Sequence, residues 1–152
     1  MYDRFRELGV PVYLTRDSDV TLNPNDRVNK VLSYFGNNPN VVVISNHLNA
    51  GGGDGAEVIY ALRNNGTLAN LVLDQIGETG QNMRKVYQRR LPSDQSKDYY
   101  FIHRNTGSTE PVIIEYAFLD NKNDASRIKD NYKKYAGGKF LMQMKIYPLV
   151  SF

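Results

Sequence analysis

Apolar and polar positions alternate in blocks along this chain, and the blocks predict strands and helices in turn. Val41-Val42-Val43-Ile44-Ser45 is a short apolar run bounded by turn residues, which reads as a buried strand of a mostly parallel sheet. Before it, Met1 to Leu8 reads as the last turns of an amphipathic helix, with Gly9 as its C-terminal cap. Pro11 to Arg16 reads as a strand, and Asp17 to Pro24 as a polar loop. Asn25-Asp26 then predict the cap of a helix through Arg27, Val28, Val31, Leu32 and Phe35, closed by Gly36. Beyond the Val41 strand, Asn49 to Gly55 is a glycine-rich loop, Ala56 to Leu62 a strand, and Thr67 to Thr79 a helix on Leu68, Leu71, Val72 and Ile76. A polar, basic connection leads to predicted strands at Tyr99 to Ile102 and Val112 to Tyr116. A last helix starts at Asn121 or Asn123 and runs through Ala125, Ile128 and Tyr132. The alternation implies an α/β fold of three layers, a mostly parallel central sheet with helices on both faces.

Composition narrows this only a little. At 152 residues the chain has the length of one domain with a sizeable core. Its net charge of +3 suits an anionic polymer without demanding one. The absence of cysteine excludes disulfides and thiolate metal sites. No apolar run approaches the roughly 20 residues of a membrane span, and no signal-peptide pattern appears.

Two residues carry the candidate chemistry. Open α/β sheets place their sites just beyond the carboxyl ends of the strands, and His47 follows the Val41 run directly. Glu115 ends the apolar run Pro111-Val112-Ile113-Ile114, where an unpaired carboxylate is costly unless paired, metal-linked or facing a cleft. A histidine and a carboxylate on one sheet rim suit a zinc hydrolase, with imidazole as ligand and carboxylate as proton acceptor for water. On the residues alone, His47 is equally readable as a polar strand-end residue satisfied by hydrogen bonds.

Other features have plainer readings. His103, the second histidine, reads as structural or peripheral, as a strand-end residue facing solvent. The Asn49 to Gly55 loop lacks the Gly-Lys-Ser/Thr ending of a phosphate loop, and Asp54 would repel phosphate. Glu57 reads as a paired or edge carboxylate. Arg84, Lys85, Arg89 and Arg90 read as a solvated face, with contact to an anionic cell wall as the second reading, and no nucleic-acid module accompanies them.

Several separated motifs nevertheless resemble one family. Ser45-Asn46-His47-Leu48-Asn49-Ala50, Gly55-Ala56-Glu57 and Ile113 to Asn121 are similar to the zinc-dependent N-acetylmuramoyl-L-alanine amidases with a phosphorylase/hydrolase-like α/β fold. Gly9 to Arg16, with Asp19 and Arg27, resembles the early region of that family, and the likeness extends to about Ala136. The resemblance implies cleavage of the amide between N-acetylmuramic acid and the L-alanine of peptidoglycan. It implies His47 as a Zn2+ ligand and Glu115 as the catalytic carboxylate. Peptidoglycan would be the partner, with no nucleic acid and no membrane span; the protein would be a monomer, secreted or in the cell wall.

The family's other ligands, a histidine after the first strand and a glutamate early in the first helix, have no counterpart here. Glu7 falls several turns too late, and His103 stands where the family has an apolar or neutral residue. The resemblance therefore implies an amidase catalytic domain over 1–138, incomplete at its N-terminus. It would lack the first strand and much of the first helix, and be inactive or weak alone. A noncatalytic peptidoglycan-binding remnant, or a half domain completed by a partner, are the alternatives. Residues 139–152 form an apolar tail where the family has an amphipathic helix, which suggests a frameshift or gene fragment.

Overall fold

The computed structural model describes residues 1–135 and 149–151. Its first elements are helix α1 (Tyr2–Glu7), strand β1 (Val12–Leu14), helix α2 (Pro24–Phe35), strand β2 (Val42–Asn49) and strand β3 (Ala56–Tyr60). Helix α3 (Thr67–Gly77), strands β4 (Met83–Tyr87), β5 (Arg90–Leu91) and β6 (Asp94–Asp98), and helix α4 (Phe101–Asn105) follow. Strand β7 (Glu110–Phe118), helix α5 (Lys122–Tyr135) and strand β8 (Leu149–Ser151) complete them.

Six strands form one sheet in the order β1-β8-β2-β7-β3-β4, and β5 and β6 form a separate two-stranded hairpin. Every pairing in the large sheet is parallel except β3 with β7, which is antiparallel. The sheet is thus mixed and mostly parallel, as the alternation implied. Successive strand residues point to opposite faces, and the apolar runs split accordingly. Val42, Ile44, Val112, Ile114 and Val58 pack with Phe5 of α1 and Ala69, Val72 and Ile76 of α3. Val41, Val43, Ile113 and Ile59 pack with Val28 and Val31 of α2 and Ile102 of α4. A continuous apolar run is what a strand covered on both sides requires.

Four expectations change. The cap of α2 is Asn23, not Asn25 or Asp26: its side-chain oxygen accepts the Asp26 backbone N–H at 2.9 Å, and Pro24 takes the first helical turn, where no N–H is needed. The strand expected at Tyr99 to Ile102 is the start of α4. There the Tyr100 carbonyl accepts the N–H groups of His103 and Arg104 at 3.1 Å each, and Arg104 Nη1 donates to the Asp98 carbonyl at 2.7 Å. The basic connection contains β4 and the β5–β6 hairpin. Finally, β2 runs past Ser45 to Asn49, so His47 lies within its strand rather than beyond it, while β7 holds Glu115 within the strand as expected and continues past Tyr116 to Phe118.

The expectation of an atypical tail falls on 139–152, of which only the backbone of Leu149–Ser151 lies among the described residues. That segment pairs parallel with β1 on one side and β2 on the other. No described helix is long and apolar enough to cross a membrane.

Candidate active site

Strand register brings the two sequence-predicted residues together. His47 of β2 and Glu115 of β7 are partners in the parallel pair, and paired residues share a face. Glu115 is paired from its other side with Glu57 of β3, and Glu57 with Lys85 of β4. One row of polar side chains, His47, Glu115, Glu57 and Lys85, therefore crosses four strands just above the apolar layer. A cavity of about 150 Å³ opens at its His47 end, lined by Arg27, Ser45, His47, Tyr100, Phe101 and Glu115 among others.

Each member of the row has a different environment. His47 is exposed at the rim, and its Nε2 lies 2.7 Å from the Oγ of buried Ser45, two residues earlier on the same face. Its pKa is lowered from 6.5, first by desolvation and then by the Arg27 guanidinium, so the ring is neutral at neutral pH. Glu115 is half-buried, and its pKa is raised by desolvation and then by the negative charge of Glu57. Its Oε2 is buried with no hydrogen-bond partner among the described residues.

Glu57, only 2% exposed, is fully engaged. Arg84 Nη1 donates to it at 2.7 Å, and Lys85 Nζ stands 3.7 Å away. Tyr87 Oη donates at 3.3 Å, and Asn49 Nδ2 reaches it at 3.5 Å. The paired reading of Glu57 holds. Arg84 and Lys85 are not merely a solvated face, because both serve this buried carboxylate. Arg89 instead lies 3.8 Å from the Tyr99 ring centroid, a cation–π contact.

The glycine-rich loop beside His47 is tied to the start of α5. Gly51 and Gly52 donate their N–H groups to Asp120 Oδ2 at 2.9 and 2.7 Å. Buried Asp124 accepts from Gly55 at 2.6 Å and from Phe118 at 2.9 Å. The loop's donors are directed to these carboxylates, in keeping with the reading against a phosphate loop. Gly53 permits the close approach, since a Cβ there would meet the Phe118 ring at 2.5 Å.

His103 does not join the site. It is fully buried in α4 rather than facing solvent, and both ring nitrogens lack hydrogen-bond partners among the described residues. Desolvation, then Arg63, lowers its pKa to about 3, so its 3.9 Å approach to Asp98 is not an ion pair at neutral pH. The residues that sequence reasoning gave no role in the site are Ser45, Tyr100 and Phe101, which line its cavity. Ser45 was findable, because two residues before His47 on a strand means the same face.

The fit to a metal is poor. Among the described residues, no group of three or more His, Asp or Glu side chains is placed to hold a metal ion. His47 and Glu115 alone fall short of the three protein ligands of a catalytic zinc site.

Residues 1–140 match the family profile described as N-acetylmuramoyl-L-alanine amidase. Among solved structures, Cwp6 from Clostridium difficile is similar at 26% identity and a TM-score of 0.75, covering 94% of this chain and 22% of that one. The catalytic domain of CwlV, an N-acetylmuramoyl-L-alanine amidase from Bacillus (Paenibacillus) polymyxa var. colistinus, is similar at 18% identity and a TM-score of 0.69, covering 93% of this chain and 76% of that one. The catalytic domain of the CD27L endolysin targeting Clostridia difficile is similar at 25% identity and a TM-score of 0.64, covering 94% and 75% respectively. The chain thus spans about a fifth of the Cwp6 chain and about three quarters of the other two. No curated protein matches it.

Proposed function

This chain belongs to the N-acetylmuramoyl-L-alanine amidase family, and from that premise we propose that it acts on peptidoglycan, at the amide joining N-acetylmuramic acid to the L-alanine of the stem peptide. The observation that carries the proposal is the register pairing of His47 with Glu115 beside one cavity. Amide hydrolysis needs a group that takes a proton from water and returns it to the leaving amine. Glu115 suits that role, since its raised pKa brings the carboxyl closer to the working range of such a group. His47 stands beside it as a neutral imidazole.

The family's zinc is a separate matter. Among the described residues no group of three or more His, Asp or Glu side chains is placed to complete a site around His47. On this reading the chain alone binds the wall polymer and cleaves it weakly or not at all. It works as a monomer outside the cell, where its substrate lies.

Purified cell walls test this directly. The expected result is that the chain sediments with the walls while the release of new L-alanine amino groups stays near background, with or without added Zn2+. Tight zinc binding by calorimetry together with efficient amide cleavage would overturn the claim of weak activity. Failure to bind walls at all would overturn the substrate assignment.

A further inference from the structure

We propose that Arg89 determines specificity: its guanidinium, laid on Tyr99 beside the cavity, takes a carboxylate that the stem peptide carries one residue beyond the L-alanine. The identity of the ligand rests on the peptidoglycan reading; the site itself rests on charge and geometry.

Charge accounting singles out this arginine within its basic cluster. Arg84 and Lys85 are turned to Glu57, and Arg90 Nη1 donates to the Gln95 carbonyl at 2.6 Å. Among the described residues no carboxylate forms an ion pair with Arg89. What holds it is aromatic. The guanidinium carbon lies 3.8 Å from the Tyr99 ring centroid and 5.9 Å from that of Tyr100, and Nη1 donates to Tyr100 Oη at 3.4 Å. Aromatic rings fix the plane of a guanidinium without neutralising it. A planar fork already held in place loses less freedom when it meets a carboxylate with two parallel hydrogen bonds.

The platform under Arg89 is itself fastened. The Tyr99 N–H donates to the Arg89 carbonyl at 2.7 Å, and the Tyr99 and Tyr100 rings meet edge to face at 5.1 Å. Arg104 Nη1 holds the Asp98 and Tyr99 carbonyls from below. Tyr100 also ties the platform to the cavity, since the residue that accepts from Arg89 lines the space holding His47 and Glu115. Inside, Arg27 shares that space with the Glu115 carboxylate, so the unanswered positive charge lies outside it, at Arg89. With the scissile amide beside Glu115, the second stem residue lies about 7 Å farther along an extended peptide. That distance is roughly the reach of one tyrosine side chain. The second stem residue is a D-glutamate, whose α-carboxylate wall polymers carry either free or amidated.

Two synthetic N-acetylmuramoyl tripeptides separate the charge from the rest of the ligand. They differ only in the second residue, D-glutamate in one and D-isoglutamine in the other. Both end in lysine amide, so the D-glutamate carboxylate is the sole one present. Titration of the full chain, followed by amide NMR, should show the acidic probe binding about fivefold tighter, the scale of an exposed ion pair. Arg89→Gln, with its amide spectrum otherwise intact, should erase that difference. Arg89→Lys, which keeps the charge but not the fork, should keep part of it. Equal affinities in the parent chain, no binding of either probe, or a preference that survives Arg89→Gln would overturn the inference. Wall sedimentation is scored separately. Walls bound with equal probe affinities sink the subsite and leave the functional reading standing, whereas a preference for the acidic probe without wall binding does the reverse.

Discussion

Glu57 and Glu115 are direct register partners on neighbouring strands, yet their surroundings are opposite. Glu57 is closed in by Arg84, Lys85, Tyr87 and Asn49. Glu115 keeps a buried oxygen with no partner among the described residues and borders a cavity. A buried carboxylate supplied with donors works as structure, because removing it strands those donors. A carboxylate oxygen left short of donors is a standing cost, and Glu115 bears it beside the cavity. The difference separates the two roles more clearly than either residue's burial.

Substitutions can break or sharpen this contrast. The largest expected effect lies with Asp124, a buried carboxylate whose Oδ2 holds two backbone N–H groups while Arg127 Nη1 stands 3.5 Å from its Oδ1. Asp124→Ala removes the acceptor of two backbone N–H groups and should cost about 3 kcal/mol, read by urea denaturation. Glu57→Gln keeps the shape and loses the charge facing two cations; a loss of about 2 kcal/mol is expected, softened because Arg84 and Lys85 reach solvent. Were Glu57→Gln silent in stability, the contrast would collapse.

His103 offers a test by pH. Its folded pKa of about 3 lies below its ordinary 6.5, so the unfolded chain binds the extra proton between those values. Stability then falls as pH drops through that window, by at most about 1.4 kcal/mol per pH unit. His103→Leu removes this contribution, and its advantage over the parent chain should grow from pH 7 to pH 4.5. An unchanging difference would refute a buried neutral ring. The smallest stability effect belongs to Glu115→Gln, expected within about 0.5 kcal/mol of the parent. The same change should abolish any residual amide cleavage while wall sedimentation persists. A large stability loss there would mean Glu115 has structural partners after all.

The sequence displayed the interior of this fold better than its margins. β2, β3 and β7 are apolar enough to stand out as strands, and both faces of the sheet follow from their alternation. β4 was missed because its first three residues, Met83, Arg84 and Lys85, are exposed at the sheet edge and look like loop. Helix α4, at five residues, is too short to show a period, and Phe101-Ile102 imitates a strand. The burial of His103 was hidden for the same reason. In the site, His47 and Glu115 were legible as polar residues at apolar runs. Their register was not, since it depends on how β2 and β7 align. The cations of Glu57 lie 27 and 28 positions along the chain, and only the β3–β4 pairing brings them home.

The two aspartates that tie the glycine loop also give the molecule a handle. Asp120 and Asp124 flank the start of α5, and both hold backbone N–H groups of the loop that leaves β2 just after His47. A displacement at the head of that helix is therefore passed to the loop through hydrogen bonds to main chain, with no flexible side chain from the loop to absorb it. The glycine loop and the first turn of α5 are in this way held as one unit, fastened main chain to carboxylate.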